Sequence, residues 1–183
     1  MGALSGEGLS YILYELQPCA VNLPHFHPRA AELLYVIKGN LVNVGFFEEN
    51  GGRTLLNQIG QGKTALFPRG LIHYEENMGC ETAQILSALN SEDPGVVSVV
   101  PNLFEFPKVA LASAFGLTLS QVDTVRSRLP QSDPAVGYGD CMKRCNMTSY
   151  PTTVSGTVGQ SASFSWTNFC LLPVLFVNFF IHF

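Results

Sequence analysis

Charge is scarce in this chain. Only 13% of its 183 residues are Asp, Glu, Lys or Arg, and the formal net charge is −4. The 10 Lys and Arg side chains are scattered along the chain. With no basic patch to meet a phosphate backbone, nucleic acid is not an expected partner. The visible start also lacks a leader. MGALSGEGLS is too short and too polar to combine a basic n-region with an apolar h-region. Cysteine is sparse and odd in number: Cys19, Cys80, Cys141, Cys145 and Cys170 cannot all pair within one chain. Cys141 and Cys145 form C-x3-C with no histidine pair nearby, which argues against a zinc knuckle. A secreted chain would bond these two to each other, or one of them to another segment. Cys19 and Cys80 are expected as free buried thiols. Asn146-Met147-Thr148 is a single glycosylation sequon, a weak pointer toward secretion.

Histidine is rarer still, with four in all, yet three of them fall into one pattern. PHFHPRAAELLYVIKG holds His25, His27 and Glu32, and GKTALFPRGLIHYEEN holds His73, 41 residues past the glutamate. On a strand, residues i and i+2 face the same way, so His25 and His27 project to one side. A carboxylate from Glu32 and an imidazole from a distant strand complete a four-ligand metal set. Three nitrogens and one oxygen suit a divalent transition metal and leave coordination positions open. His182 is not expected to be a ligand.

Hydrophobic residues make up 46% of the chain, ample for the core of one domain. Strands are expected at Ser10–Gln17, Pro24–His27, Glu32–Lys38, Leu41–Glu48, Thr54–Ile59, Thr64–Phe67, Gln84–Leu89 and Val96–Val100. ELLYVIK is nearly all apolar, as in a strand buried on both faces. Asn50-Gly51-Gly52 marks a tight turn, and Pro68 with Gly70 a turn that aims His73. Short strands at close intervals predict an all-β sandwich or barrel, and a small barrel can hold one metal or ligand.

Two spacings carry a resemblance. His25, His27, Glu32 and Gly39 read H-x-H-x4-E-x6-G; Gly62, Pro68, Gly70, His73 and Asn77 read G-x5-P-x-G-x2-H-x3-N. Together they resemble the two motifs of the cupins, and NLPHFHPRAAE looks like the germin and spherulin branch, over about residues 10–130. Cys19 stands where the glycine that opens the first motif is usual, a turn position. The resemblance implies an all-β cupin, a jelly-roll-type β-barrel with a C-terminal helical pair. It implies Mn(II) as the cofactor of the four ligands, although another divalent transition metal suits the same donors. It also implies a substrate contact at Asn22, the candidate catalytic residue. The activities it suggests are oxalate oxidation and superoxide dismutation, with a small carboxylate such as oxalate as ligand. A non-enzymatic wall, storage or ligand-binding cupin is the alternative. The resemblance further implies an extracellular or cell-wall homo-oligomer. Only 24 residues precede His25, where relatives carry several strands, so the chain reads as N-terminally truncated or as lacking a first exon.

The expected division is a barrel over 1–106, a helical extension over 107–130, a linker over 131–165 and an apolar tail over 166–183. After Pro107, Val109, Ala110, Leu111, Ala114 and Phe115 fall at helical spacing, with Gly116 as the stop. Thr118 and Gln121 form a capping-box pair for a second helix with Val122, Val125 and Leu129 on one face, and Pro130 ends it. This pair is expected to pack on a neighbouring subunit, or else on its own barrel. SYPTTVSGTVGQSASFS is rich in Ser, Thr and Gly and reads as a linker. WTNFCLLPVLFVNFFIHF has three readings: a translated intron or frame error, a GPI-attachment signal cleaved near Ser155, Gly156 and Thr157, or a membrane span at the lower length limit. A membrane partner is expected only under the last two.

Overall fold

The computed structural model describes residues 6–130, 135–136 and 139–147. The strands are β1 (Ser10–Leu16), β2 (Ala20–Phe26), β3 (Glu32–Lys38), β4 (Val42–Phe47), β5 (Thr54–Ile59), β6 (Thr64–Phe67), β7 (His73–Asn77), β8 (Ala83–Leu89), β9 (Val97–Ser98) and β10 (Ala135–Val136). The helices are α1 (Val99–Leu103), α2 (Lys108–Phe115), α3 (Leu119–Arg126) and α4 (Asp140–Arg144). One antiparallel sheet runs β1-β8-β3-β6, and the other β10-β2-β7-β4-β5 with β9 beside β2. Leu16, Leu34, Val36, Phe67 and Ile85 of the first sheet meet Ala20, Val42 and Val44 of the second in one core. The all-β expectation holds.

The structure sharpens the sequence reading at three places. ELLYVIK is not buried on both faces: Glu32, Leu34 and Val36 point inward, while Leu33 is 47% and Tyr35 40% exposed. Its apolar outer face hid the period of two. Val96–Val100 forms only a two-residue strand before α1 begins at Val99. Residues 73–77, the distant strand expected to supply His73 but given no bounds, run as a full strand with His73, Glu75 and Asn77 inward.

The turns explain the glycines. Gly39 (φ 126°), Gly62 (φ 78°) and Gly70 (φ 76°) all lie in the left-handed region that disfavours a side chain. Cys19 sits there too, at φ 60°, and is completely buried. Its disulfide to Cys141 gives that unusual residue a partner. Cys80 bonds to Cys145. The expectation of free thiols at Cys19 and Cys80 is therefore wrong. What misled it was distance along the chain: the pairs are 122 and 65 residues apart. The two bonds fasten α4 to the β1–β2 turn at Cys19 and to the β7–β8 turn at Cys80, so this part of the expected linker is an ordered element. Residues 131–134, 137–138 and 148–165, with Thr148 of the sequon among them, and the tail over 166–183 lie outside the described residues. Among the described residues no helix is long and apolar enough to cross a membrane.

Helices α2 and α3 follow the sequence closely. Gly116 caps α2 at φ 65°, and Thr118 with Gln121 forms a complete capping box. Leu111 and Val122 do not form an outward patch. They are buried with Phe104, and Arg126 ties α3 to the Phe104 carbonyl at 3.1 Å. Covering part of their own chain is thus the arrangement seen for those two side chains, while Phe115 stays half exposed.

Asn77 closes the second motif for a structural reason. Its buried amide donates to the carbonyls of Leu16 (2.9 Å), Gln17 (3.1 Å) and Glu81 (2.7 Å), and its oxygen accepts from Gly79 N–H (2.9 Å). One side chain therefore satisfies two turns. Asn77→Ala should destabilise the fold by about 3 kcal/mol, since each orphaned buried group costs about 1 kcal/mol or more. Denaturant unfolding measures it, and a loss under about 1 kcal/mol would contradict the assignment.

Candidate metal centre

The inward faces of β2, β3 and β7 bring the ligands together. His25 pairs with His73 across β2 and β7, and Asn22 pairs with Glu75 one row away. On β7 these inward residues are two apart; on β2 they are three apart. The register shift between Asn22 and His25 absorbs the extra residue as a bulge, so both still face the interior. Pro24 falls within it, where the missing N–H removes no ladder bond. Glu32 opens β3, and His27 follows β2 directly.

Each imidazole is held from behind. His25 Nδ1 meets the Leu23 carbonyl at 2.8 Å, His73 Nδ1 the Leu71 carbonyl at 2.8 Å, and His27 Nδ1 the Gly95 carbonyl at 2.5 Å. A carbonyl only accepts, so each Nδ1 carries a proton, and Nε2 is the atom left to serve as a ligand. The Nε2 atoms converge on Glu32: His27 Nε2 lies 2.9 Å and His73 Nε2 3.3 Å from Glu32 Oε2. Phe67 stacks on His73 with centroids 4.3 Å apart, fixing that ring's plane. The four ligand atoms all lie within 4.8 Å of one another, and all four residues are buried. Nitrogen and oxygen ligands at about 2.0–2.2 Å on opposite sides of one ion are about 4.4 Å apart, so the cluster fits a single ion with small adjustments. The site could hold a metal, and the donor set is that of a divalent transition ion.

The electrostatics follow from burial and from the shared carboxylate. Burial, then the neighbouring His73, lowers the His25 pKa to about 4, so this ring is neutral and ready as a ligand at ordinary pH. Burial also opposes charge on His27, but hydrogen bonding to Glu32 and Gly95 outweighs it and raises that pKa above 6.5. Burial alone would raise Glu32; the bonds from His27 and His73 instead hold it far below the usual carboxylate range.

The sequence reading named the four ligands and Asn22, and all five line this interior. Asn22 does more than face it: its amide donates to Glu75 Oε2 at 2.7 Å. Glu75 is fully buried and was missed. Its place two residues after His73 on a strand was the signal. Tyr14 was missed as well. Burial, then Glu75 and Glu32, raise its pKa well above 10 and keep it a neutral phenol.

The matching family model, described as Cupin, spans residues 2–123, and the chain belongs to that family. Its relatives include spherulins and germin-like proteins. It is 36% identical to Spherulin-1B of Physarum polycephalum over 80% of its own length, and spans 58% of that protein. It is 34% identical to Germin-like protein subfamily 3 member 2 of Arabidopsis thaliana over 68% of its length, and spans 55% of it. A structure of recombinant oxalate oxidase in complex with glycolate is similar at TM-score 0.65 and 30% identity, covering 68% of this chain and 65% of that one. The chain thus spans just under three fifths of those two curated relatives.

The depressed His25 pKa sets a pH dependence. Between pH 6.5 and about 4.5 the unfolded chain takes a proton on His25 that the folded chain refuses, so stability falls as pH falls. His27 does not offset this, because its raised pKa stabilises fully below 6.5 and fades only above it. Glu32 contributes fully above its ordinary pKa and changes little in this window. Metal-free protein should lose about 2–3 kcal/mol over the window, at 1.36 kcal/mol per pKa unit. Thermal melting checks it: His25→Gln should flatten the pH profile, and an unchanged profile would contradict the assignment.

Proposed function

We propose that this chain is part of a secreted, germin-like cupin that holds one Mn(II) ion through His25, His27, Glu32 and His73, and that it binds a small carboxylate such as oxalate there. The observation that carries the reading is the clustering of His25, His27, Glu32 and His73, all buried, with ligand atoms within 4.8 Å of one another. Ligand type alone ranks zinc and copper above manganese; the choice of Mn(II) rests on the germin resemblance. A bound ion would supply a Lewis acid and template for the carboxylate and one-electron chemistry with dioxygen or superoxide. The chain's residues have separate tasks. The backbone carbonyls hold the Nδ1 side of each ring and leave Nε2 for the ion, and Glu32 neutralises part of the ion's charge. Asn22, held by Glu75 one row from His25 and His73, contacts the bound carboxylate. Phe67 shields one face of His73 from water.

Oxalate oxidase and superoxide dismutase activity belong to this proposal. The second reading is a wall, storage or ligand-binding protein with the same site and no turnover. Two disulfides support an oxidising, extracellular setting. Self-association is also part of the reading. Tyr11, Leu13, Leu33, Tyr35 and Leu66 are 40–61% exposed on the outer face of the first sheet, and such an apolar face favours a second copy.

Elemental analysis of purified protein tests the metal reading. Wild type should carry manganese, and His27→Ala or His73→Ala should lose most of it; metal retained in either variant would contradict the four-ligand site. Peroxide release on adding oxalate separates the two readings. Asn22→Ala should keep its metal and lose turnover, by about 10-fold or more for a positioned polar contact. A lowered melting temperature with unchanged turnover would make Asn22 a structural residue instead.

A further inference from the structure

We propose that Arg29 is a positioning residue of the metal centre: it ties down the loop between β8 and β9 and thereby sets the ring of His27. The inference rests on the metal reading above and deepens it.

The three imidazoles are not oriented by equivalent means. His25 and His73 each take a carbonyl two residues earlier in the chain, Leu23 and Leu71. Those acceptors move with the ligand's own segment. His27 alone relies on a distant acceptor, Gly95, 68 residues further on. Its Nε2 is therefore aimed only as well as the loop places the Gly95 carbonyl. An outer partner of this kind fixes ring orientation as well as the proton's position.

Arg29 holds that loop at three points. Its Nε donates to the Asp93 carbonyl at 2.7 Å, its Nη2 donates to Asp93 Oδ1 at 2.7 Å, and its backbone N–H donates to the Pro94 carbonyl at 3.1 Å. Since Arg29 is two residues past His27, the segment that carries the ligand also grips the loop that orients it. Gly95 completes the clasp. It lies at φ 65°, and a Cβ there would come within 2.8 Å of Arg29 Nη2. The fork of a guanidinium can hold a carbonyl and a carboxylate together, which an ammonium cannot match. The Arg29 and Asp93 side chains are 53% and 82% exposed, and ion pairs that open contribute little to overall stability. Removing this one should therefore act on the ligand more than on the fold.

Mn(II) affinity of metal-stripped protein is the test, with thermal melting as a second readout. Arg29→Ala should weaken binding about 10–100-fold, the usual effect of losing an outer-shell partner, with Arg29→Lys in between. Its metal-free melting temperature should stay near that of wild type, while the upward shift on adding Mn(II) shrinks. Arg53→Ala is the control. It removes an exposed ion pair to Glu48 of 2.6 Å on another hairpin and should leave affinity within about twofold. Arg29→Ala within about twofold of wild type would overturn the proposal. So would a loss confined to metal-free melting. Should Arg29→Ala fold poorly, Asp93→Asn keeps the loop's backbone bonds; weaker Mn(II) binding supports the proposal, and wild-type affinity overturns it. A wild type that binds no Mn(II) overturns the metal reading itself, which distinguishes the two failures.

Discussion

Three backbone carbonyls determine what the interior of this protein can do. Leu23, Leu71 and Gly95 each accept from an Nδ1, and this leaves the three Nε2 atoms free to serve as ligand atoms beside one buried carboxylate. A free histidine can place its proton on either nitrogen. Here the backbone chooses, and the choice is the difference between three buried donors and three ligands. The strands, the bulge in β2 and the turns at Gly62, Gly70 and Cys19 are the means by which those carbonyls reach their places. The core is conventional by comparison: aliphatic residues of two sheets packed face to face.

The ligand set was legible in the sequence because its logic is short-range. His25 and His27 are two apart, and the glycines and proline that shape the turns stand at fixed offsets from them and from His73. The helical pair was legible for the same reason: Thr118, Gln121 and Gly116 act on their own backbone. What stayed hidden depends on contacts far apart in the chain. The Cys19–Cys141 and Cys80–Cys145 pairs could not be read from five cysteines. Glu75 lies one strand period past His73 and so on the same face, a signal that becomes usable once 73–77 is given bounds as a strand. The apolar outer side of β3 concealed a strand that is buried on one face only.

The two disulfides also change how the region after the helices is understood. A stretch read as linker holds α4 against the barrel, with Cys141 buried and the Arg144 guanidinium donating to the Met78 carbonyl. Asn77 stands at the same place, since its amide binds the turn from Leu16 to Gln17 and the turn at Glu81. The β1–β2 and β7–β8 turns are thus joined covalently and by hydrogen bonds. Strands β2 and β7, which carry His25 and His73, each have one end fixed in this way, which suits a site in which small shifts of a ring would change the fit to an ion.

The central claim is that three imidazole nitrogens and one carboxylate of this chain surround a single ion. Pulsed electron paramagnetic resonance of the protein loaded with Mn(II) tests it most directly, because couplings to directly bound nitrogen report imidazole in the first coordination sphere. The account predicts nitrogen couplings from three imidazoles, lost in part when His25, His27 or His73 is replaced. A spectrum of fully hydrated Mn(II) with no bound nitrogen would contradict it.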